Sequence, residues 1–439
     1  MASKFSFTNI NLFFTQHANF IAGILVAILS ASAIVFPRAI PFFYLFLALL
    51  AAIELWRTGK TSEAVKIPGL FWIFISLFTV WCFVTILWSL VPLQAMSKVL
   101  FLTYTILAAW IIYRWLSTIS LSMSQHLNSG LFIGFAIGTL FLTIETVLDQ
   151  PIAKSFLNNF EFARPDTAKH IRIINNEVVN LPLYLLNRNI ATLNILLWPT
   201  ILFAVSQWEG KRGWIISGAL FALVALVTFH SVHETSMTAL LAGVVCFSLN
   251  YFIPRIGRIM MIAIWISALV FVIPVALKAY DANLHKAEWM PPSAQARIVL
   301  WSNTARSYMS NPILGVGVRT TQFIDDERVK KANNPRTDNH KNIGTARHGH
   351  NIYLQTWYEL GAVGAILLLL SGLALLTRIN RMLPQIKIFV LTTFGVAITI
   401  AAFTWGMWQV WYIAMFAFSS AAMLIASRQN IERNAPRQQ

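Results

Sequence analysis

The chain has 439 residues, of which 57% are hydrophobic and only 11% are charged, and its formal net charge is +16. Soluble domains carry about 25% charged residues, so this composition excludes an ordinary soluble protein and indicates one membrane domain over residues 1–439. No nucleic-acid partner is expected, because many Lys and Arg residues lie in short connections between apolar segments. Cys82 and Cys246 fall inside such segments, which indicates packing residues and neither a disulfide framework nor a cysteine metal site.

Twelve apolar segments are long enough to cross about 30 Å of hydrocarbon. Since irregular backbone cannot face lipid, we expect helices, and the fold class is an all-α polytopic membrane protein with about 12 transmembrane helices. The first segment has no A-x-A-like cleavage site, so we interpret it as a transmembrane helix and not as a signal peptide. The expected spans are residues 18–36, 40–56, 70–88, 97–113, 129–148, 189–206, 214–229, 237–253, 259–277, 351–376, 388–404 and 410–426.

The Lys and Arg residues in the short connections predict the orientation of these spans. With the N-terminus inside, the inner segments hold fifteen of them, and the short outer connections hold two, Arg38 and Lys98. This bias follows the positive-inside rule, so we expect both termini to be cytoplasmic. Two long loops, residues 149–188 and 278–350, then lie on the outer face.

The larger outer loop, residues 278–350, holds eleven basic and six acidic residues. Long loops do not follow the positive-inside rule, so these cations call for another reason. A positive loop suits an anionic ligand at the membrane surface. The alternative is a solvated loop with scattered charge.

Each long loop leads into a span whose N-terminus lies at the outer face. Unpaired N–H groups and a partial positive charge at a helix N-terminus bind phosphate-like anions. Asn187 and Arg188 stand at the start of one such span, and Arg347 and Asn351 at the start of the other. Because Asn can cap a helix and Arg can fork onto phosphate oxygens, we predict a face that binds phosphate-like anions. Interfacial snorkelling with ordinary capping is the alternative.

Two histidines flank Gly349 directly before the second of these spans. The positive field of a helix N-terminus disfavours imidazolium, so we expect His350 to be a neutral general base that could deprotonate a sugar hydroxyl, with His348 in support. Metal binding by His-Gly-His is the alternative, but no cysteine or compact acidic cluster joins it, so no metal is expected. His233, before another outer-facing span, could join the site or merely cap that span.

The middle of the larger loop shows helical spacing. We predict a helix that starts at 291–293 with Ser293 as its N-cap, because Ile298, Trp301, Ala305 and Tyr308 then fall on one face. This amphipathic helix is expected to pack on the membrane domain. Arg297 would lie in its first turn, where a cation opposes the helix dipole, so its placement suggests a ligand. The stretch 325–341 is polar and is expected to be mobile.

Three motifs in order carry a resemblance to a known family. They are residues 297–301 (Arg-Ile-Val-Leu-Trp), residues 311–317 (Asn-Pro-Ile-Leu-Gly-Val-Gly) and residues 350–361, which open with His-Asn-Ile-Tyr-Leu-Gln and close with Glu-Leu-Gly. Together with the architecture of the whole chain, this set resembles the O-antigen ligase and polymerase superfamily. Its members place a large periplasmic loop before a helix that starts with His-Asn.

The resemblance implies a fold like that of GT-C-type membrane glycosyltransferases, in the bacterial inner membrane, with the active site on the periplasmic face. Such ligases transfer a glycan from undecaprenyl diphosphate to lipid A–core oligosaccharide and use no metal or nucleotide sugar, so the partners are this donor, this acceptor and membrane lipids. His350 matches the motif histidine and would be the base. Arg297 and Arg188 match arginines that would bind the diphosphate.

One departure from the family pattern concerns an arginine. Members often have Ser-Arg where this chain has Ser236 and Met237. Arg347, His230 or His233 could substitute, or the site is arranged differently.

The resulting hypothesis is a one-step, inverting transfer with His350 as base. An O-antigen polymerase and a protein O-oligosaccharyltransferase are alternatives within the superfamily. A transporter for a lipid-linked glycan is the alternative from another class. Glu54 and Glu145 lie towards the ends of their spans and no internal repeat is visible, both of which disfavour transport.

Overall fold

The computed structural model describes residues 7–64, 69–163, 171–208, 210–331 and 348–433. Apart from one hairpin of two short strands, the regular structure in these residues is helical. The α-helices are α1 (Phe7–Val35), α2 (Ile40–Arg57), α3 (Thr61–Ala64), α4 (Leu70–Thr85), α5 (Pro92–Leu116), α6 (Leu121–Val147), α7 (Pro151–Asn159), α8 (Asn187–Gln207), α9 (Lys211–His230), α10 (Glu234–Phe252), α11 (Pro254–Val270), α12 (Val272–Asp281), α13 (Pro292–Tyr308), α14 (Thr320–Lys331), α15 (Ile352–Ile379), α16 (Pro384–Phe403) and α17 (Val410–Arg433).

The expected membrane spans are confirmed with one modification. Eleven helical segments of the described residues are long and apolar enough to cross a bilayer, and each coincides with an expected span. The remaining expected span, residues 259–277, is divided between α11 and α12, which meet at an angle of 69°. At 1.5 Å rise per residue, the 17 residues of α11 reach only roughly 25 Å. The chain is therefore an all-α, multi-pass membrane protein with eleven or twelve spans.

The described residues form two compact units. Unit 1 comprises Met1–Ala64, Ala109–Leu241 and Met415–Gln439, and unit 2 comprises Val65–Ala108 and Ala242–Ala414. Helices α5, α10 and α17 contribute residues to both units. The residues just before α15, 348–350 (the histidine segment), belong to unit 2, whereas the start of α8 belongs to unit 1.

Unit 1 is built around α8 and a close pairing of α1 with α6. A Cβ atom on Gly138 would lie 2.8 Å from Ile34 Cβ, and a Cβ atom on Gly23 would lie 2.8 Å from the carbonyl oxygen of His126. Small residues at this spacing let two membrane helices approach each other's backbone. Residues 189–204 of α8 are all buried, so α8 forms the centre of this unit.

The smaller loop of unit 1 contains structure that the sequence pattern did not predict. Helix α7 begins where Glu145, at the end of α6, accepts a 2.7 Å hydrogen bond from the main-chain N–H of Ile152. Strands β1 (Arg172–Ile174) and β2 (Glu177–Asn180) then form an antiparallel hairpin. Asn175 and Asn176 both have positive φ angles, as a tight two-residue turn requires.

Unit 2 is organised by a break in α15 at Gly361, where φ is +67° and ψ is −168°. The segment 312–317 occupies the break. The N–H of Val316 donates to the carbonyl of Tyr358, and the N–H of Ala362 donates to the carbonyl of Pro312. Non-helical backbone at membrane depth needs internal partners of this kind. The segment 312–317 of the large loop therefore supplies the hydrogen-bond partners that α15 lacks at its break.

Candidate active site

The start of α15 has the predicted cap. Asn351 has an extended backbone, and its Oδ1 accepts a 3.0 Å hydrogen bond from the N–H of Leu354. The carbonyl of Asn351 accepts the N–H of Gln355, which closes the first turn. Capping of this kind fixes the residue that precedes the helix relative to the helix axis.

His350 lies between two anchored residues in a conformation that is uncommon for a side chain with a Cβ atom. Its φ angle is +49°. On one side is the cap Asn351, and on the other the carbonyl of Gly349 accepts a 2.9 Å hydrogen bond from Nε1 of Trp301. A residue held at positive φ by its surroundings stores strain, which occurs often at functional sites. Both neighbours of His350 are thus fixed by hydrogen bonds to defined elements.

His348 is the second histidine of this segment. The rings of His348 and His350 are 4.2 Å apart between centroids and inclined at 66°. Gly406 packs against His348 so closely that a Cβ atom on Gly406 would lie 2.6 Å from His348 Cβ. The histidine segment is therefore held from the side of the α16–α17 connection as well.

The loop helix α13 lies beside the histidine segment. It packs on the membrane domain, as the sequence predicted. Ile298 and Ala305 are buried, and the ring of Trp301 lies 5.9 Å from that of Phe403. Arg297 is half-buried and lies one turn before Trp301 on the same face. Arg297 therefore lies on the face of α13 whose Trp301 contacts Gly349.

The expected start of α13 was wrong by two residues. The helix begins at Pro292, with Pro291 as the N-cap residue, and Ser293 is already helical. Proline suits the first turn of a helix because its missing N–H would be unpaired there in any case. Arg297 is consequently the sixth helical residue and lies in the second turn, so opposition to the helix dipole is a weaker indication of its role than the sequence suggested.

Helix α14 also departs from the sequence expectation, which held that the stretch 325–341 is mobile. Residues 325–331 form the second half of α14, and the remainder of the stretch lies outside the described residues. Asp325 is fully buried. Polar composition concealed this helix, because few apolar residues mark its buried face.

Unit 1 holds the other predicted site residues, at the start of α8. Asn187 does not cap the helix: α8 begins at Asn187 itself, after Leu186, with no side-chain cap. The asparagine that anchors this end is Asn189, whose Nδ2 donates 2.8 Å hydrogen bonds to the carbonyls of Ile34 and Val35. Arg188 is half-buried in the first turn.

His233 directly precedes α10 in unit 1. It is 5% exposed, and its Nδ1 lies 2.6 Å from Oγ of Ser236. The ring therefore bonds to the side chain of Ser236, the residue before Met237. Arg347, the remaining predicted ligand, lies outside the described residues.

One buried carboxylate near the site was overlooked in the sequence. Glu359, on α15 before the break, is fully buried and accepts hydrogen bonds from Nε1 of Trp408, from Nε2 of Gln355 and from the main-chain N–H of Arg319. These three donors join three segments of unit 2. The signal was available, because an ionisable residue within an apolar span marks a functional or structural site.

A metal site at His348 and His350 would need further ligand side chains. Within the part of the chain that the structure describes, no three His, Cys, Asp or Glu side chains come together as a metal site would require.

Known sequences match this region. A sequence model of the family described as O-antigen ligase matches residues 218–369, a stretch that includes α13 and the start of α15. A protein of Rickettsia felis named "Putative polysaccharide ligase" is 25% identical over 353 residues, which cover 77% of this chain and 76% of the relative. A protein of the same description from Rickettsia typhi is 24% identical over 346 residues, with coverage of 77% and 76%.

Similarity to these ligases indicates an enzyme of polysaccharide ligation, with a lipid-linked polysaccharide and an acceptor as substrates in general. The match to the family includes Arg297, Trp301, His350 and Asn351. Arg188 lies outside the matched stretch. The stretch that matches the ligase family therefore includes the residues 348–350 of unit 2.

Proposed function

We propose that this protein is a glycosyltransferase of GT-C type that moves a glycan from undecaprenyl diphosphate onto lipid A–core oligosaccharide. The reaction would take place at the periplasmic face of the bacterial inner membrane. The observation that carries the proposal is the conformation of His350, which stands at positive φ between the Trp301–Gly349 hydrogen bond and the Asn351 cap. A histidine whose backbone is held in this way suits a general base.

In the proposed reaction, the acceptor hydroxyl oxygen attacks the anomeric carbon of the glycan while His350 takes the hydroxyl proton. The bond between the anomeric carbon and the diphosphate oxygen breaks, and the carrier diphosphate leaves with the electron pair. Attack opposite to the leaving group inverts the anomeric configuration. A neutral imidazole is favoured at a helix N-terminus, where the local field is positive.

The leaving diphosphate is already anionic, so it needs electrostatic stabilisation more than a proton. Arg297, one turn from Trp301 on α13, and Arg188, in the first turn of α8, are the proposed sources of this stabilisation. Arg347 is proposed for the same role from its position in the sequence. No metal ion or other cofactor enters this reaction.

A transporter fits the geometry less well than a transferase. Transporters use broken helices to expose backbone groups to a substrate. In α15 the groups freed by the break bond instead to the segment 312–317. Glu359 likewise has three N–H donors from the protein itself. These features support a fixed scaffold for α15 and not a substrate path through it.

The test is reconstitution of the purified protein in liposomes with an undecaprenyl-diphosphate-linked glycan. Lipid A–core and a second lipid-linked glycan are supplied as competing acceptors, with and without EDTA. We expect product on lipid A–core at a rate that EDTA does not change. Product only on the second glycan would identify a polymerase, and loss of activity in EDTA would contradict the metal-independent reaction.

A further inference from the structure

A second positively charged place lies in unit 2, where the large loop meets the turn between α4 and α5. Oγ of Ser89 donates a 2.8 Å hydrogen bond to the carbonyl of Val318, and the N–H of Leu90 donates a 3.3 Å bond to Oγ1 of Thr320. Gly317 has a φ of +93°, and a Cβ atom there would lie 2.8 Å from Ser89 Cα. These contacts fix Arg319, between Val318 and Thr320, beside the start of α5.

Lys98 lies in the second turn of α5, the helix whose start Arg319 lies beside. Both residues are half-buried, and no carboxylate of the described residues forms an ion pair with either side chain. The carboxylate of Glu359 accepts the main-chain N–H of Arg319 and does not pair with its guanidinium. Two partly buried like charges are unfavourable together unless an anion joins them.

The same place offers hydrogen-bond donors without acceptors. Nε of Arg319 is buried and has no hydrogen-bond partner among the described residues. Thr321, in the first turn of the 12-residue helix α14, is 1% exposed, and its Oγ1 also has no such partner. The first turn of a helix adds unpaired N–H groups and a partial positive charge. These donors, with the positive charges of Lys98 and Arg319, favour an anion at the start of α14.

The surface around Lys98 indicates where that anion comes from. Leu90, Leu93 and Leu100 expose 54%, 87% and 53% of their side chains. Apolar residues exposed at the end of a membrane span face lipid. A cation among them stands where lipid headgroups meet hydrocarbon.

We propose that Lys98, Arg319 and the first turn of α14 bind the phosphate group of an anionic membrane lipid. The site does not depend on the catalytic role of His350. A soluble phosphate ion has the same recognition chemistry, but it lacks the acyl chains that the exposed leucines would contact.

The test measures lipid binding by native mass spectrometry of the full-length protein in detergent. Phosphatidylglycerol is titrated into the wild-type protein, Lys98→Gln, Arg319→Gln and the double variant, and inorganic phosphate is titrated in parallel. Charge-assisted hydrogen bonds to a phosphate contribute enough that we expect the tightest phosphatidylglycerol site to weaken about tenfold in each single variant. Arg319→Lys should retain most of the binding.

The matched control is Lys278→Gln, which removes an exposed cation from the last turn of α12 in the same unit. It should bind phosphatidylglycerol as the wild-type protein does. Equal weakening in Lys278→Gln would show a general effect of net charge and overturn the site, as would wild-type binding by the double variant. Inorganic phosphate that competes at equal concentration would overturn the lipid origin of the ligand.

Discussion

The backbone of His350, the residue on which the proposed chemistry depends, is fixed by hydrogen bonds of its two neighbours. Gly349 is bonded to Trp301 and Asn351 caps α15, so the backbone on both sides of the histidine is defined. A base must lie within hydrogen-bond distance of the proton it removes, and displacement by about 1 Å can cost a hundredfold in rate. The Trp301 hydrogen bond should therefore affect catalysis more than stability.

Trp301→Phe tests this hydrogen bond directly. The substitution removes the Nε1 donor but keeps an aromatic ring against Phe403. A net loss of about 1 kcal/mol is expected for one neutral hydrogen bond, and the rate of glycan transfer should fall about fivefold. Trp289→Phe, at a residue that is 77% exposed in the same loop, is the control and should transfer at the wild-type rate. Equal rates in both variants would remove Trp301 from the site.

At the scale of elements, the break in α15 joins the large loop to the membrane helices. Pro312 and Val316 form backbone hydrogen bonds with the two sides of the break, and Glu359 accepts hydrogen bonds from Arg319, Gln355 and Trp408. The large loop is thus part of the fold of unit 2 and not an appendage. The contact between the large loop and α15 depends on the backbone conformation of Gly361.

Gly361→Ala should destabilise the protein by more than about 1 kcal/mol, because alanine is strained at a φ of +67°. The added Cβ atom would also lie 2.6 Å from the main-chain nitrogen of Gly315. Thermal unfolding in detergent measures the effect as a lower midpoint. Gly218→Ala is the control, since no neighbour lies within 4 Å of its added Cβ atom and its midpoint should not fall. A wild-type midpoint for Gly361→Ala would contradict the account of the break.

The sequence predicted the elements that hydrophobicity determines and missed those that local backbone geometry determines. Apolar segments of sufficient length identified the spans, and helical spacing identified α13. The break at Gly361 left no mark in an apolar run, and the hairpin was missed although Asn175 and Asn176 favour such a turn.

Within the candidate site, the same limit applied to individual side chains. The Asn351 cap followed from its position before an apolar run, whereas the same reasoning failed for Asn187, because α8 starts one residue earlier than a cap there would allow. The Trp301–Gly349 contact joins residues 48 positions apart, and no local pattern predicts such a pair.

For the whole molecule, the orientation predicted from Lys and Arg residues is open to test by cysteine labelling. The native Cys82 and Cys246 are 0% and 8% exposed, so they should react little. Phe162→Cys, at a residue that is 87% exposed in the smaller loop, should react with a membrane-impermeant maleimide in intact cells. Lys211→Cys, at the exposed start of α9, should react only after the inner membrane is permeabilised. The reverse pattern would invert the topology and place the His350 segment in the cytoplasm.

The central claim is that His350 removes the acceptor proton during glycan transfer. The most direct measurement is the single-turnover rate of transfer in liposomes for the wild-type protein, His348→Ala and His350→Ala, each shown to unfold at a similar temperature. Loss of a positioned base should slow His350→Ala by about 10²–10⁴-fold, with a milder effect in His348→Ala. A folded His350→Ala protein that transfers glycan near the wild-type rate would contradict the claim.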